Sequence, residues 1–313
     1  MKIHVVVPIF RETDLLESFL KSWEGVRSAP VRLLVVNGDP GDSASRWIAD
    51  YMTKGRRDGS KGRRDGCGSE LVVEEVPGNP ELFWTGLVCL GLERVAEDAE
   101  EGDFFVLTNV DVNFSGDPIE AIRGAVPNLG GKQVSLATVT GKGGVHSSGV
   151  VVRSWILSLN RHLLEGMAEE DLVGTGEELP ATYLPTRFLF CPTAALKAGH
   201  FPDADRLPHY CADYEYTNRL RLNGYAPVVF TGARIRLHES NTGFDTFLKE
   251  TDMRSRIARA WDIKCPYNFR YRYRFVKLVY PAIAFYPGLL SHFAKIFLEI
   301  AFGGHTLRHL RKH

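Results

Sequence analysis

The chain has 313 residues, 44% of them hydrophobic and 24% charged, a profile that excludes a disordered, collagen-like or coiled-coil protein. Thirty-eight Lys and Arg balance 38 Asp and Glu, yet unevenly: residues 266–313 carry a net +7, with Glu299 as their one acid, and residues 1–265 carry −7. An acidic body with a basic, aromatic tail argues against nucleic-acid binding and gives the tail a local anionic partner.

From the N-terminus, Ile3–Val7, Val31–Val36, Leu71–Val76 and Phe104–Thr108 are apolar runs of strand length. Between them, Leu15, Leu16, Phe19, Leu20 and Trp23 recur at helical spacing. So do Trp47, Ile48, Tyr51 and Met52, and then Leu87, Leu90, Gly91 and Val95. Strand–helix alternation predicts βαβ units and a mainly parallel sheet covered by helices, with ligands at the carboxyl ends of its strands. The repeat Gly55-Arg56-Arg57-Asp58-Gly59 and Gly62-Arg63-Arg64-Asp65-Gly66 reads as a tolerated surface insertion in preference to an anion-binding loop. The five cysteines (67, 89, 191, 211 and 265) form no Cys-x-x-Cys pair and read as reduced thiols of a cytoplasmic chain. The opening residues are too short for a signal-peptide core, and no apolar stretch of about 18 residues spans a membrane.

The strand ends carry the chemistry. Pro8-Ile9-Phe10-Arg11-Glu12 is not a Gly-x-Gly-x-x-Gly turn, which makes an NAD or FAD enzyme improbable, and no phosphate-binding Gly-Lys-Ser/Thr loop occurs. Asn37-Gly38-Asp39-Pro40-Gly41-Asp42 suits a base or ribose and equally an ordinary turn with a helix cap. Asp111, just beyond the fourth strand in Leu107-Thr108-Asn109-Val110-Asp111-Val112, stands where a metal-held phosphate would sit, or where a turn needs Asp. Asp213 and Glu215 open a helix that Gly224 closes; they complement its dipole or supply a general base. His238, in Leu237-His238-Glu239, is a structural histidine or, beside a metal, a ligand.

Taken in order, Val6-Val7-Pro8-Ile9-Phe10, Val35-Val36-Asn37-Gly38-Asp39, Asn79-Pro80-Glu81-Leu82-Phe83-Trp84-Thr85-Gly86, the segment from Leu107 to Val112, Ala212-Asp213-Tyr214-Glu215-Tyr216 with Arg219 and Gly224-Tyr225, and His238 resemble the motifs of inverting family 2 glycosyltransferases, rhamnosyltransferase-like branch. The likeness runs from Val5 to near Phe244. It departs from the family at Asn109 and Asn37, which stand at usual Asp positions, and at Ala212, which replaces an acidic residue. The resemblance implies a GT-A nucleotide-sugar-binding domain over residues 1–245 and a helical extension over 246–313. It implies transfer of a sugar, with inversion, from a nucleotide-diphosphate sugar to a glycan or lipid-linked acceptor hydroxyl. Asp213 is then the base, and Asp111 and His238 hold Mg²⁺ or Mn²⁺. Pro8, Phe10, Glu12, Asn37, Asp39, Trp84, Asn109, Asp111, Glu215 and Arg219 face the donor.

Two other classes stay open: a sugar nucleotidyltransferase, which usually opens with a Gly-rich basic loop that Pro8–Glu12 is not, and a non-catalytic GT-A-like carbohydrate-binding protein. The tail, with Tyr271-Arg272-Tyr273-Arg274-Phe275 and an interrupted apolar series, reads either as an amphipathic element on the anionic inner face of a membrane or as helices packed on the body or on a second subunit of a homodimer.

Overall fold

The computed structural model describes residues 1–57, 71–172, 175–238 and 253–302. Most of the Gly-Arg-Arg-Asp-Gly repeat, Cys67 and the boundary expected at residue 245 lie outside them. Strands β1 (Ile3–Ile9), β2 (Val31–Asn37), β3 (Leu71–Pro77) and β4 (Phe104–Thr108) alternate with helices α1 (Thr13–Glu24), α2 (Ser43–Arg57) and α3 (Phe83–Asp98). β1 pairs in parallel with both β2 and β4, and β2 with β3. Every residue of β1, β2 and β4 is buried. That explains their continuous apolar runs: a parallel sheet covered on both faces leaves no solvent side for alternation. The polar intruders are matched. His4 Nε2 lies 3.3 Å from Asp103 Oδ2, and the Arg32 guanidinium meets Glu74 and Asp98, each at 2.8 Å.

The second half completes the sheet less predictably. Beyond β5 (Val112–Asn113) and α4 (Pro118–Ala125) come β6 (Lys132–Val139), β7 (Val145–Ser147), the hairpin β8 (Val150–Ser154) and β9 (Leu159–His162), then β10 (Glu178–Pro180), β11 (Phe188–Pro192) and β12 (Ala226–Leu237). The strand order is β10-β12-β6-β11-β4-β1-β2-β3. β11 runs antiparallel between β4 and β6, so the sheet is mixed at its centre. Helices α5 (Ala194–Lys197) and α6 (Ala212–Leu222) follow β11, and α7 (Met253–Arg259), α8 (Phe269–Val279) and α9 (Phe285–Phe302) follow β12.

The C-terminal helices are not a loose appendage. Phe275, Val276 and Val279 of α8 share one buried cluster with Val150, Tyr183, Leu207, Cys211 and Ala212 of the body. A second small cluster, Ala260, Cys265, Ile296 and Ile300, ties α9 to the turn after α7. Among the described residues, no helix is long and apolar enough to cross a membrane.

Candidate active site

The carboxyl ends of the first strands are tied together in a fan. Gly38 N donates to Ile9 O at 2.9 Å, and Gly78 N donates to Asn37 O at 2.7 Å. Beyond β1, Arg11 adopts a positive φ of 66°. Its guanidinium lies 5.0 Å from the centroid of the Phe10 ring and pairs with Asp39. Glu12 turns back, accepting from Phe10 N at 3.1 Å. Loss of solvent and the facing charge of Asp111 hold the Glu12 carboxyl above its ordinary pKa.

Asp111 is fixed by strand pairing. β5 lies antiparallel to the end of β12, with Val112 opposite Leu237, and His238 N donates to Asp111 O at 2.7 Å. Residues 127 positions apart in sequence thus become neighbours. Burial raises the Asp111 pKa, against the opposing pull of Arg187 and His238. Its Oδ1 is buried without a hydrogen-bond partner. An acceptor of this kind is costly to bury unless a ligand satisfies it. His238 Nε2 lies 3.1 Å from both Ser18 Oγ and Asn113 Nδ2.

The third wall comes from the start of α3 and of α6. Trp84 Nε1 donates to Asn109 Oδ1 at 3.2 Å. Next to it, Thr85 Oγ1 donates to Leu207 O at 2.7 Å, and Thr85 N to Pro208 O at 3.1 Å. These bonds draw the approach to α6 against the end of β4. Cys211, at φ 69°, then turns the chain into α6 and sets Asp213 in its first turn. Burial pushes the Asp213 carboxyl up to about 6, although Tyr214 N, Arg187 and Arg272 all favour its charged form. Non-glycine residues at positive φ occur at only five described positions; Arg11 adjoins Phe10 and Glu12, Phe83 adjoins Trp84, and Cys211 is two residues before Asp213. Strain of this kind persists where surrounding structure over-determines it, commonly at functional sites.

Four expected donor contacts have their polar groups engaged inside the protein or lie within a strand. Pro8 is buried in β1 opposite Val36. Asn37 is fully buried; its Nδ2 donates to Ser45 Oγ and Glu75 Oε1, both at 3.0 Å, and its Oδ1 accepts from Asp39 N at 3.0 Å. The Asn37 amide therefore shapes the β2 turn from within. Glu215 is buried and takes both Nε and Nη2 of Arg219, at 2.8 and 3.1 Å, while Nη2 also donates to Phe201 O at 2.7 Å. That pair braces α6. The alternative cap at the second turn holds: Asp42 Oδ1 accepts from Ala44 N and Ser45 N, at 2.8 and 3.0 Å, at the head of α2.

Three cations that are not among the expected site residues border the site. Arg187 precedes β11, and its carbonyl accepts from Thr108 Oγ1 at 2.7 Å; its Nε is buried and unpartnered. Its charge reaches both Asp111 and Asp213. The same rule that singled out Asp111, a charge abutting an apolar strand, was available for Arg187 in Thr186-Arg187-Phe188-Leu189-Phe190. Arg272 of α8 donates from Nε to Pro266 O at 2.6 Å and lends its charge to Asp213, and Lys264 sits 5.6 Å from the centroid of the Phe10 ring. Arg272 belongs to the tail and Lys264 lies just before it, in a stretch whose charge pattern reads as surface until its packing is known.

Among the described residues, no three His, Cys, Asp or Glu side chains cluster as a ready metal cage. The donor set fits a different arrangement, one protein carboxylate with a bare oxygen, Asp111, completed by phosphate oxygens of a substrate.

No family model matches the sequence, and no curated protein matches it. Solved structures do resemble the fold. GalNAc-T7 with UDP, GalNAc and Mn²⁺ superposes with a TM-score of 0.55 at 11% identity, over 96% of this chain and 54% of that one. TarS 1–349 of S. aureus gives 0.51 at 14% identity, over 97% and 76%. The same TarS segment in complex with UDP-GlcNAc gives 0.51 at 13%, over 97% and 77%. The fold is GT-A.

Proposed function

We propose that this GT-A protein is an inverting glycosyltransferase of the family 2 type, moving a sugar from a nucleoside-diphosphate sugar to an acceptor hydroxyl. The observation that carries the reading is that Asp111, just beyond β4, and Asp213, in the first turn of α6, both feel the charge of one guanidinium, that of Arg187, at the ligand edge of this sheet. Asp213 takes the acceptor proton as the hydroxyl oxygen attacks the anomeric carbon and the nucleoside diphosphate departs. A pKa of about 6 leaves it mostly ionised at neutral pH yet basic enough to accept that proton. Asp111, with its bare Oδ1, is the residue that would hold Mg²⁺ or Mn²⁺, with His238 beside it. Such a cation, when bound, supplies charge that stabilises the diphosphate leaving group. Arg187 adds a fixed positive charge at the same place, so less rests on the cation than where two acidic residues bind it. Asp39, Phe10 and Glu12 line the nucleotide end, while Asn37 shapes the turn that carries Asp39.

Thermal shift against a panel of nucleotide sugars with Mn²⁺ tests the reading. One donor is expected to raise Tm and to be consumed when acceptor glycans are added. Asp111→Asn is expected to abolish the Mn²⁺-dependent part of the shift while melting normally without ligand. Stabilisation by an oligosaccharide alone, with no donor consumed, would point to the non-catalytic reading instead.

A further inference from the structure

We propose that the C-terminal helices form a docking surface for an anionic lipid bilayer, seated beside the candidate active site. Each helix leaves large apolar side chains in water. Met253 and Ile257 of α7 and the following Trp261 recur at intervals of four residues, with Trp261 66% exposed. On α9 and the turn before it, Ile283, Tyr286, Leu290 and Phe297 are 87, 79, 75 and 61% exposed.

These residues form joined groups. Phe269 contacts both Trp261 and Phe297, with ring centroids 5.6 and 5.4 Å apart. Phe285 likewise bridges Tyr273 and Tyr286, at 6.2 and 4.9 Å. The β8–β9 hairpin adds exposed Ile156, Leu157 and Leu159. It is clipped to α9 by Lys295 Nζ, which donates to Leu157 O and Ser158 O at 2.9 and 2.7 Å. Large apolar side chains exposed in groups, not singly, mark an interaction site on a protein.

Charge selects the occupant. Residues 253–302 hold nine Lys and Arg against Asp262 and Glu299, and Arg270, Tyr273 and Lys277 stand exposed along α8. A symmetric contact with a second copy would set like charges against each other, because the same patch meets itself. Anionic headgroups neutralise them, while Trp and Tyr suit the boundary between headgroups and acyl chains. The site lies close by: Trp261 is three residues from Lys264, whose ammonium covers Phe10 beyond the end of β1.

Co-sedimentation of the full chain with vesicles of phosphatidylcholine, with and without phosphatidylserine, tests the surface. Binding is expected only with phosphatidylserine, and it should fall steeply as salt rises from about 0.05 to about 0.5 M, where screening shortens to a few Å. Each basic residue near such a surface is worth about fivefold, so R270E/K277E is expected to weaken binding at least about twentyfold. W261S/Y286S/L290S is expected to weaken it at least about tenfold. All these side chains are exposed, so both variants should melt as the parent does. Indifference of the intact protein to phosphatidylserine, or unchanged binding by the triple variant, overturns the proposal. So does a stable dimer that the triple variant dissociates, because that assigns the patch to a second copy.

Discussion

Asp213 is a carboxyl that burial drives up to about 6 while two guanidiniums pull it down, and both its kinetics and its stability follow from that balance. As a general base it must be ionised. The expected kcat/KM falls about tenfold per pH unit below roughly 6 and is flat above. Asp213→Asn should lower kcat at least about 100-fold with donor affinity kept, since the base acts in the transition state. The stability effect runs the other way. An acid whose folded pKa lies above its unfolded value stabilises the fold below about pH 4, and that contribution is lost as pH rises through about 6. The neutral amide should therefore stabilise by up to about 3 kcal/mol at pH 8 and by little at pH 4. Urea melts of both proteins at the two pH values check this; destabilisation at pH 8 contradicts it. Arg187 favours the charged carboxylate, so Arg187→Met is expected to move the acidic limb of the pH profile upward. An unmoved limb removes Arg187 from the site.

Helix α3 shows how tightly an element must sit to bring its first turn to the site. Gly91 faces the sheet, and a Cβ there would lie 2.5 Å from Val6 Cγ1 and 2.8 Å from Val36 Cγ2. Both neighbours are β-branched and fully buried, so the helix itself must move. Gly91→Ala is expected to cost about 2 kcal/mol as overpacking, read as a lower urea midpoint with unchanged slope. It should also loosen the Trp84–Asn109 bond and weaken donor binding; an unchanged midpoint would contradict the close approach. Elements of this kind were legible in the sequence, because strands buried on both faces read as unbroken apolar runs and their helices keep a regular stripe. The place of Asp111 was legible as the charge just beyond an apolar strand, and that of Asp213 as the opening of a helix that Gly224 closes. The antiparallel insertion of β11 between β4 and β6 was not, because partners 80 residues apart, such as Phe188 and Thr108, leave no local period. Arg187 abuts an apolar run that was legible, but nothing local placed that run beside β4 and so Arg187 beside Asp111. Arg272 was missed for another reason: in Tyr271-Arg272-Tyr273-Arg274 the charges alternate evenly, and only the packing of α8 on α6 turns one of them inward.

At the scale of the molecule, the C-terminal helices share a buried cluster with the body, so their titration is felt by the whole fold. His292 of α9 is largely buried beside the charges of Arg272 and Lys295, and it is held down to about 3; its Nε2 has no partner. His209, ahead of α6, is lowered to about 4 by burial and by Lys264, against the opposing pull of Asp262. A histidine with a folded pKa below its unfolded value stabilises the fold above about pH 6.5. That contribution is lost as pH falls toward the folded pKa, because the unfolded chain takes the proton first. Between pH 7 and pH 5 each such histidine removes at most about 2 kcal/mol. The raised carboxyls of Glu12, Asp111 and Asp213 act in the opposite sense over part of that window, so the parent's net slope mixes both signs. A difference between variants isolates the histidine. His292→Gln should lose less stability than the parent between pH 7 and pH 5, by up to about 2 kcal/mol, whatever its stability at pH 7. Parallel pH dependences for the two proteins would mean that His292 is already solvated and that α9 is not seated on the body as described.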